Sequence, residues 1–400
     1  MTIGMVVDNE LYGDVRVLNE ARFLAQNGYS VHVLCLTFGQ LPQEETIDGI
    51  QVTRIPLGKN TKNKLFAVNN LFPAYDRWWR RHIRSFVERE SIQVLHVHDL
   101  YLAHAAHSAL QNKNIPLVLD LHENYPAAVM TYKWANQFPY NWLTRPALWQ
   151  KREQRYLGYA QKIIVLSESY RDQLLQNYPE FREADFVVYP NVPSLDEFNS
   201  YPVDDQIFAK GNSFLLFYFG VIAERRGIFT SIEALRKLLQ QGYEVKLLLI
   251  GRVDKDDQAQ FAACLSDPLL QDALIHYPWK DIQFLPSYVK VSDVCLSPIF
   301  RNPQHESGVA NKIFQYMLFE RPLLVSDCFP QKRIVEEERC GLAFESQNAE
   351  DLAQKVVQLY ENPELRQEMG TNGRRAVLRK YNLEIVGKNL LEMYHQLLSK

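Results

Sequence analysis

A pair of doubly wound parallel α/β domains is the fold that this 400-residue sequence predicts, and three observations predict it. Short β-branched runs alternate with helical patterns, and strand, helix, strand alternation makes a parallel sheet with crossover helices. Several runs are apolar throughout, such as Phe214 to Phe219, which implies cover on both faces of the sheet. The rhythm pauses at Tyr201-Pro-Val-Asp-Asp-Gln206, with Pro190 and Pro193 nearby, and then restarts. A chain this long exceeds the usual single domain. The predicted domains are therefore residues 1–200 and 201–382.

In the first half, strands are expected at Met5 to Val7, Val31 to Leu36, Val94 to Val97, Leu117 to Leu121, Ile163 to Leu166 and Val187 to Tyr189. Between the first two, Val15 to Ala25 repeats its apolar residues at three and four and stops before Asn27-Gly28, as a helix with a C-cap does. The second half offers strands at Phe214 to Phe219, Val245 to Ile250, Val294 to Leu296 and Leu323 to Val325. From Glu384 to Leu398, Ile385, Val386, Leu390, Leu391, Tyr394 and Leu397 make one apolar helix face.

Composition excludes several classes. A formal net charge of -3 gives no global reason to expect nucleic acid. The cysteines, Cys35, Cys264, Cys295, Cys328 and Cys340, are odd in number and scattered, which fits neither a disulfide framework nor a metal knuckle and suits a reducing cytoplasm. The start at Ile3-Gly-Met-Val-Val lacks the features of a signal peptide, and no apolar run approaches the roughly 20 residues needed to span a bilayer. The expected location is the cytoplasm, with peripheral membrane contact at most.

Open parallel sheets bind ligands beyond the carboxyl ends of their strands. Three such ends carry polar chemistry: Asp8-Asn-Glu10 with Gly13-Asp14-Val-Arg16, then His98-Asp99, then His122-Glu123. The first lacks the glycine-rich turn of a dinucleotide fingerprint, which disfavours NAD. Asp14 suits either a ligand contact or a helix N-cap with Arg16 paired to an acid. His98 and Asp99 are expected to organise their loop, and His104 and His107 to be solvated.

The most informative block is Glu306-Ser-Gly-Val-Ala-Asn-Lys-Ile-Phe-Gln-Tyr-Met317, followed by Arg321-Pro-Leu-Leu-Val-Ser-Asp327. Small residues and a lysine at a helix start suit phosphate, because free backbone N–H groups and the helix dipole favour an anion there. Upstream, Gly220-Val-Ile-Ala-Glu-Arg-Arg-Gly227 sets two guanidiniums at a strand-to-helix turn, and arginine grips phosphate oxygens in a fork.

Taken in order, His122-Glu123, the Gly220 to Gly227 loop and Asn311-Lys-Ile-Phe-Gln-Tyr-Met with Arg321-Pro322 resemble the retaining nucleotide-sugar glycosyltransferases of the GT-B fold. The resemblance covers nearly the whole chain. It implies two Rossmann-like domains facing across a cleft that closes on its ligand, with a last helix, residues 383–400, crossing back to the first domain. It implies a donor diphosphate held by Gly220, Arg225, Arg226, Gly308, Val309, Asn311 and Lys312, with Arg226 and Lys312 neutralising the leaving charge and no metal or other cofactor required. His122 takes the place of the family's strand-end histidine beside the transferred sugar, and Gly13, Asp14 and Glu123 fall on the acceptor side. The nucleotide base is expected against Gly251 and His276-Tyr-Pro-Trp279, although Tyr277 and Trp279 suit a core equally well.

Val221 replaces a frequent arginine of the family one residue after Gly220, and two carboxylate positions depart as well. Gln315 stands where a carboxylate usually holds the ribose, and Ser307, with Glu306 one step away, stands where a first carboxylate meets the sugar. These departures keep a rival open: a non-catalytic subunit that binds nucleotide sugar or glycan beside a partner enzyme. An epimerase on the same scaffold needs acids that cannot be placed, and Asp254-Lys-Asp256-Asp257 resembles an acidic metal motif only superficially. The expected acceptor is a glycan or lipid-linked sugar in cell-surface polysaccharide assembly. Residues 59–84, rich in Lys59, Lys62, Lys64, Arg77, Arg80, Arg81 and Arg84 among aromatics, suit an anionic membrane face, or else a solvated helix with its tryptophans packed inward. Tyr132, Trp134, Phe138, Tyr140, Trp142 and Trp149 form a second aromatic cluster suited to an acceptor groove.

Overall fold

A computed structural model describes residues 1–70, 72–131 and 147–399. The chain divides into two compact units: Met1–Pro190 together with the residues from Val386 onward, and Asn191–Ile385. The division falls ten residues before the expected linker because helix Leu195–Ser200 is tied into the second unit. Its Leu195 N–H donates to Glu384 Oε1 at 3.2 Å, and Phe198 packs against Phe319.

The first unit holds strands Thr2–Val6 (β1), Ser30–Thr37 (β2), Glu44–Ile47 (β3), Ile50–Pro56 (β4), Val94–His98 (β5), Leu117–Asp120 (β6), Lys162–Val165 (β7) and Phe186–Val188 (β8). They lie in the order β3-β4-β2-β1-β5-β6-β7-β8, and every neighbouring pair is parallel except β3 with β4. That antiparallel hairpin is absent from the sequence reading. Its turn is Asp48-Gly49 with φ of 50° and 82°, the pair of positive φ values that a two-residue type I′ turn needs.

The second unit holds Phe214–Phe219 (β9), Val245–Ile250 (β10), Leu274–Tyr277 (β11), Val294–Ser297 (β12), Leu323–Ser326 (β13) and Gly341–Phe344 (β14), all parallel, in the order β11-β10-β9-β12-β13-β14. Helices Ile228–Gln240 and Ala349–Tyr360 bury Ile228, Ile232, Leu235, Leu238, Leu352 and Val356 against this sheet. Both units are Rossmann-like, as the alternating pattern predicts.

In each sheet the strand order reverses at one place: at β1 and β5 in the first, at β9 and β12 in the second. Crevices beyond strand ends open at such reversals. The Gly220 to Gly227 loop follows β9, and the segment leading to Lys312 follows β12. The chain path thus puts both predicted phosphate loops at one reversal.

Gly227 shows how closely these loops approach. Its φ is 72°, and a Cβ there would lie 1.7 Å from the Pro298 carbonyl oxygen, so backbone has to move to admit one. Gly227→Ala is expected to destabilise the second unit by about 2 kcal/mol or more, combining left-handed strain with the clash. Calorimetry reads this as a lowered transition for that unit.

Candidate active site

In the second unit, β9 ends on Tyr218 and Phe219, and helix Asn311–Leu318 docks there because the buried Tyr316 Oη accepts the Phe219 N–H at 2.9 Å. This fixes Lys312 over Tyr218, with Nζ 3.7 Å from the ring centroid, a cation–π contact. Gly220 follows at φ 143°, and a Cβ on it would come within 2.7 Å of Lys312 Nζ. The lysine is buried, and among the described residues it forms no ion pair or hydrogen bond. Burial, with the charge of Arg226 adding to it, holds its pKa well below the ordinary lysine value.

Arg225 and Arg226 close the short turn Glu224–Arg226, which is anchored from two sides. Glu224 N–H donates to Asp257 Oδ2 at 2.9 Å, and Phe300 N–H donates to the Arg225 carbonyl at 3.0 Å. Asp257, from the acidic run at 254–257, thus serves as a tether for the arginine turn. Burial pushes the Tyr218 hydroxyl up to about 12, against the opposing pull of Arg226 and Arg225. Three cations therefore gather around one tyrosine.

The loop after β12 supplies the rest. Gly308 is extended, Val309 is buried, and Ala310 caps the helix without a side-chain bond, leaving the first turn's N–H groups without a side-chain acceptor. Asn311 and Gln315, four residues apart, share a partly exposed face of that helix. Ser307 Oγ donates to the Gln304 carbonyl at 2.7 Å, and Glu306 accepts from Arg301 Nε at 2.6 Å.

Sequence reasoning missed His305. Its Nδ1 lies 2.6 Å from the Phe300 carbonyl, so Nδ1 carries the proton and Nε2 is a buried acceptor without a partner among the described residues. Burial chiefly, with Arg226 and Arg225 adding and Phe300 opposing, pushes this imidazole down to about 4. Gly251 completes the edge: its N–H donates to the Tyr277 carbonyl, and its own carbonyl accepts from His276 Nε2 at 2.9 Å. Trp279 is 57 % exposed and leans on Phe219 at 4.9 Å between ring centroids, so it is no core residue.

In the first unit, polar groups meet at the ends of β5 and β6. Arg16 forks onto the buried Asp120, Nε to Oδ2 at 2.8 Å and Nη2 to Oδ1 at 2.7 Å. Its Nη1 donates to the Tyr189 carbonyl at 2.9 Å, and Glu20 Oε1 lies 3.3 Å from Nε. His98 Nδ1 and His122 Nε2 each lie 3.2 Å from Asp120 Oδ2 and 3.0 Å from each other. Burial lowers the His122 pKa, but Asp120 and then Asp99 outweigh it and bring the ring to about 9. Glu20, buried and facing Asp120, is held well above the usual carboxylate range.

Glu20, His96, His98 and Asp120 come close enough together to suggest a metal cage. They fit one poorly, because the Arg16 fork already takes both Asp120 oxygens and puts a fixed positive charge beside them. Asp14 caps helix Val15–Gln26 through Val17 N–H and accepts from Asn9 Nδ2 at 2.7 Å, beside Gly13 at φ 87°. Glu123 follows His122 and is partly exposed. His104 and His107 are not simply solvated: His104 Nδ1 lies 2.8 Å from Asp76 Oδ2, and His107 stacks on Tyr159 at 4.0 Å, because their helix packs against aromatic neighbours.

Residues 13–196 match the family model for Glycosyltransferase Family 4, and residues 202–376 that for Glycosyl transferases group 1. The chain belongs to this glycosyltransferase family. Among curated relatives, a capsular polysaccharide biosynthesis glycosyltransferase, CapM, of Staphylococcus aureus is 25% identical over 47% of this chain and 48% of its own length. An alpha-D-kanosaminyltransferase of Streptomyces kanamyceticus is 24% identical over 46% of each. The chain spans about half the length of these curated relatives. Sucrose-phosphate synthase from Thermosynechococcus elongatus superposes with TM-score 0.79 at 18% identity, over 100% of this chain and 99% of that one. Anabaena HepE, solved in complex with UDP, superposes at 0.73 and 14% identity over 99% and 100%. At such identities the likeness establishes the GT-B fold.

Elsewhere in the chain, the basic stretch 59–84 divides in two. Trp79 is fully buried and Trp78 partly so, while Arg77, Arg80, Arg81 and Arg84 face outward from helix Ala74–Arg89. Lys62 turns inward instead, donating to the Asp8 carbonyl at 2.7 Å, and Tyr75 donates to the Asp8 carboxylate. Burial pushes that carboxyl up to about 6, with Lys62 pulling against it. Of the second aromatic cluster, Tyr132, Trp134, Phe138, Tyr140 and Trp142 lie outside the described residues; Trp149 is buried edge-on to Tyr125 at 4.7 Å. All five cysteines are free. Among the described residues no helix is long and apolar enough to cross a membrane.

Proposed function

We propose that this chain is a retaining glycosyltransferase that moves a sugar from a nucleotide-diphosphate donor to a glycan or lipid-linked acceptor in cell-surface polysaccharide assembly. The observation that carries the reading is Lys312: a buried amine with no carboxylate partner among the described residues, sharing its surroundings with Arg226 at the reversal of the second sheet. A buried charge is costly unless something compensates it. A diphosphate supplies the missing anion.

As the glycosyl bond breaks, negative charge grows on the departing phosphate, and Lys312 and Arg226 stabilise it more than they stabilise the intact donor. Fixed cations of this kind do the work that a divalent ion would otherwise do, so transfer is expected to persist in chelator. His305, a neutral acceptor beside the arginines, suits a donor hydroxyl where Ser307 and Glu306 are otherwise engaged. The capsular polysaccharide role named for the Staphylococcus relative supports a surface glycan as product, and UDP in the HepE structure supports a nucleotide donor.

The test is a panel of nucleotide sugars, first for a rise in melting temperature and then for turnover with the stabilising donor. A saturating donor at about 100 times Kd adds roughly 2.7 kcal/mol. The anomeric configuration of the product, read by NMR, decides retention. A shift without transfer or hydrolysis under any acceptor would make the chain a binding subunit, and no shift with any donor would end the reading.

The exposed ring of Trp279 beside Gly251 supports a nucleotide base stacked there. Because Trp279 is exposed, Trp279→Ala is expected to leave the melting temperature within a degree or so, while KM for the donor rises about tenfold, the scale of one lost stacking contact. An unchanged KM would move the base elsewhere.

A further inference from the structure

We propose that Asp120 is a positioning residue for His122: clamped by the Arg16 fork, its carboxylate holds His122 by Nε2 as an imidazolium and leaves Nδ1–H as the nitrogen offered to substrate. The substrate in this statement rests on the transfer reaction proposed above; the positioning is a property of the first unit alone.

Arg16 Nε at 2.8 Å, His98 Nδ1 at 3.2 Å and His122 Nε2 at 3.2 Å surround Asp120 Oδ2, and the two ring nitrogens lie 3.0 Å from each other. Two N–H groups at that distance would repel, so one ring donates and the other accepts. With His122 as the donor, its Nε2–H reaches both Asp120 Oδ2 and the lone pair of His98 Nδ1, and His98, fully buried with no partner on Nε2 among the described residues, is the neutral ring. His122 is the ring at the rim, partly exposed, with no partner on Nδ1 among the described residues. Asp120 ends β6 and His122 stands two residues on, so both side chains project to one side of the chain. Backbone bonds hold that strand end, Asp99 N–H to the Asp120 carbonyl at 2.8 Å and Leu121 N–H to the Ile164 carbonyl at 2.9 Å.

The charged and titratable groups around His122 are Arg16 and Glu20 on helix Val15–Gln26, Asp14 at its cap, His96 and His98 on β5, Asp99 after it, and Asp120 itself. Asp120 is the anion in direct contact, and Arg16 is paired to it through two bonds and cannot be deprotonated. His122 is therefore a charged donor at neutral pH and not a general base. Such a donor suits a hydroxyl or phosphate oxygen of the transferred group.

The test is an NMR titration of protein labelled at histidine, with His122→Gln to assign the resonance. Wild-type His122 is expected to titrate near 9. In Asp120→Asn the midpoint is expected to fall below about 7, since the anion is gone and burial remains. The alkaline limb of kcat/KM should fall by the same interval, and activity near pH 5 should return to within several-fold of wild type. A purely structural defect would instead lower activity evenly at every pH. A wild-type midpoint below 7, or an Asp120→Asn midpoint unmoved, overturns the proposal. The wild-type titration needs no Asp120 variant, so it decides even if that variant fails to fold. It also needs no turnover, so it separates this inference from the reaction itself.

Discussion

Replacing Lys312 by methionine is expected to abolish most sugar transfer while making the protein more stable. The two effects share one cause. In the free protein the amine lies buried over Tyr218, with Arg226 disfavouring its charge and no carboxylate among the described residues to answer it. Methionine fills a similar volume without that cost, so the melting temperature should rise. In the transfer reaction proposed above the same group, as an ammonium, would face the departing diphosphate, and losing one such fixed donor typically costs about 10²–10³ in kcat. Arg226→Met should act in the same direction on kcat. If Lys312→Met keeps wild-type kcat/KM, the donor diphosphate does not sit there.

A proton accompanies this binding event. With its folded pKa pulled well below that of a free lysine, Lys312 is more readily neutral in the free protein than in solution. An incoming diphosphate favours the charged form and raises that pKa, so donor binding should take up protons, and affinity should weaken as pH rises through the free-protein value. Calorimetry in buffers of different ionisation enthalpy measures the uptake directly. Lys312→Met should abolish it.

Much of the fold was legible in the sequence because the signals are local. Apolar runs marked most of the parallel strands, and the polar residues just beyond them, His122, Gly220, Arg226 and Lys312, lie at strand ends or at the helix start that faces one. The β3–β4 hairpin went unread although Asp48-Gly49 announces its turn, since Glu44 to Ile47 is too polar to read as a strand by itself. His305 carried no signal at all: a lone histidine in a loop becomes an oriented acceptor only because the Phe300 carbonyl folds back onto it. The pairing of Arg16 with Asp120 spans 104 residues, and nothing local to either names its partner. Glu306 reads as a free acid beside the motif, yet Arg301, five residues upstream, claims it.

Arg16→Ala is expected to be among the most destabilising single changes in the first unit. The guanidinium is nearly fully buried, and its removal strands the Asp120 carboxylate in the interior while freeing the Tyr189 carbonyl. Breaking a buried pair from one side typically costs about 3–5 kcal/mol, which for a unit of this size lowers its melting temperature by on the order of 10 °C. Arg16→Lys keeps the charge but loses the fork, and should fall between the two. The loss should be partly relieved at low pH, where a stranded Asp120 can be protonated. Wild type behaves oppositely, because its depressed Asp120 pKa gives stability present above the ordinary carboxylate range and lost as pH falls through the folded value. His122 adds a second window of opposite sign. Its folded pKa of about 9 gives stability that is complete below about 6.5 and lost as pH rises through 9. Denaturant midpoints of wild type and Arg16→Ala from pH 5 to 10 would show both. Equal midpoints at pH 7 would mean that the Arg16–Asp120 pair contributes nothing to the first unit's stability.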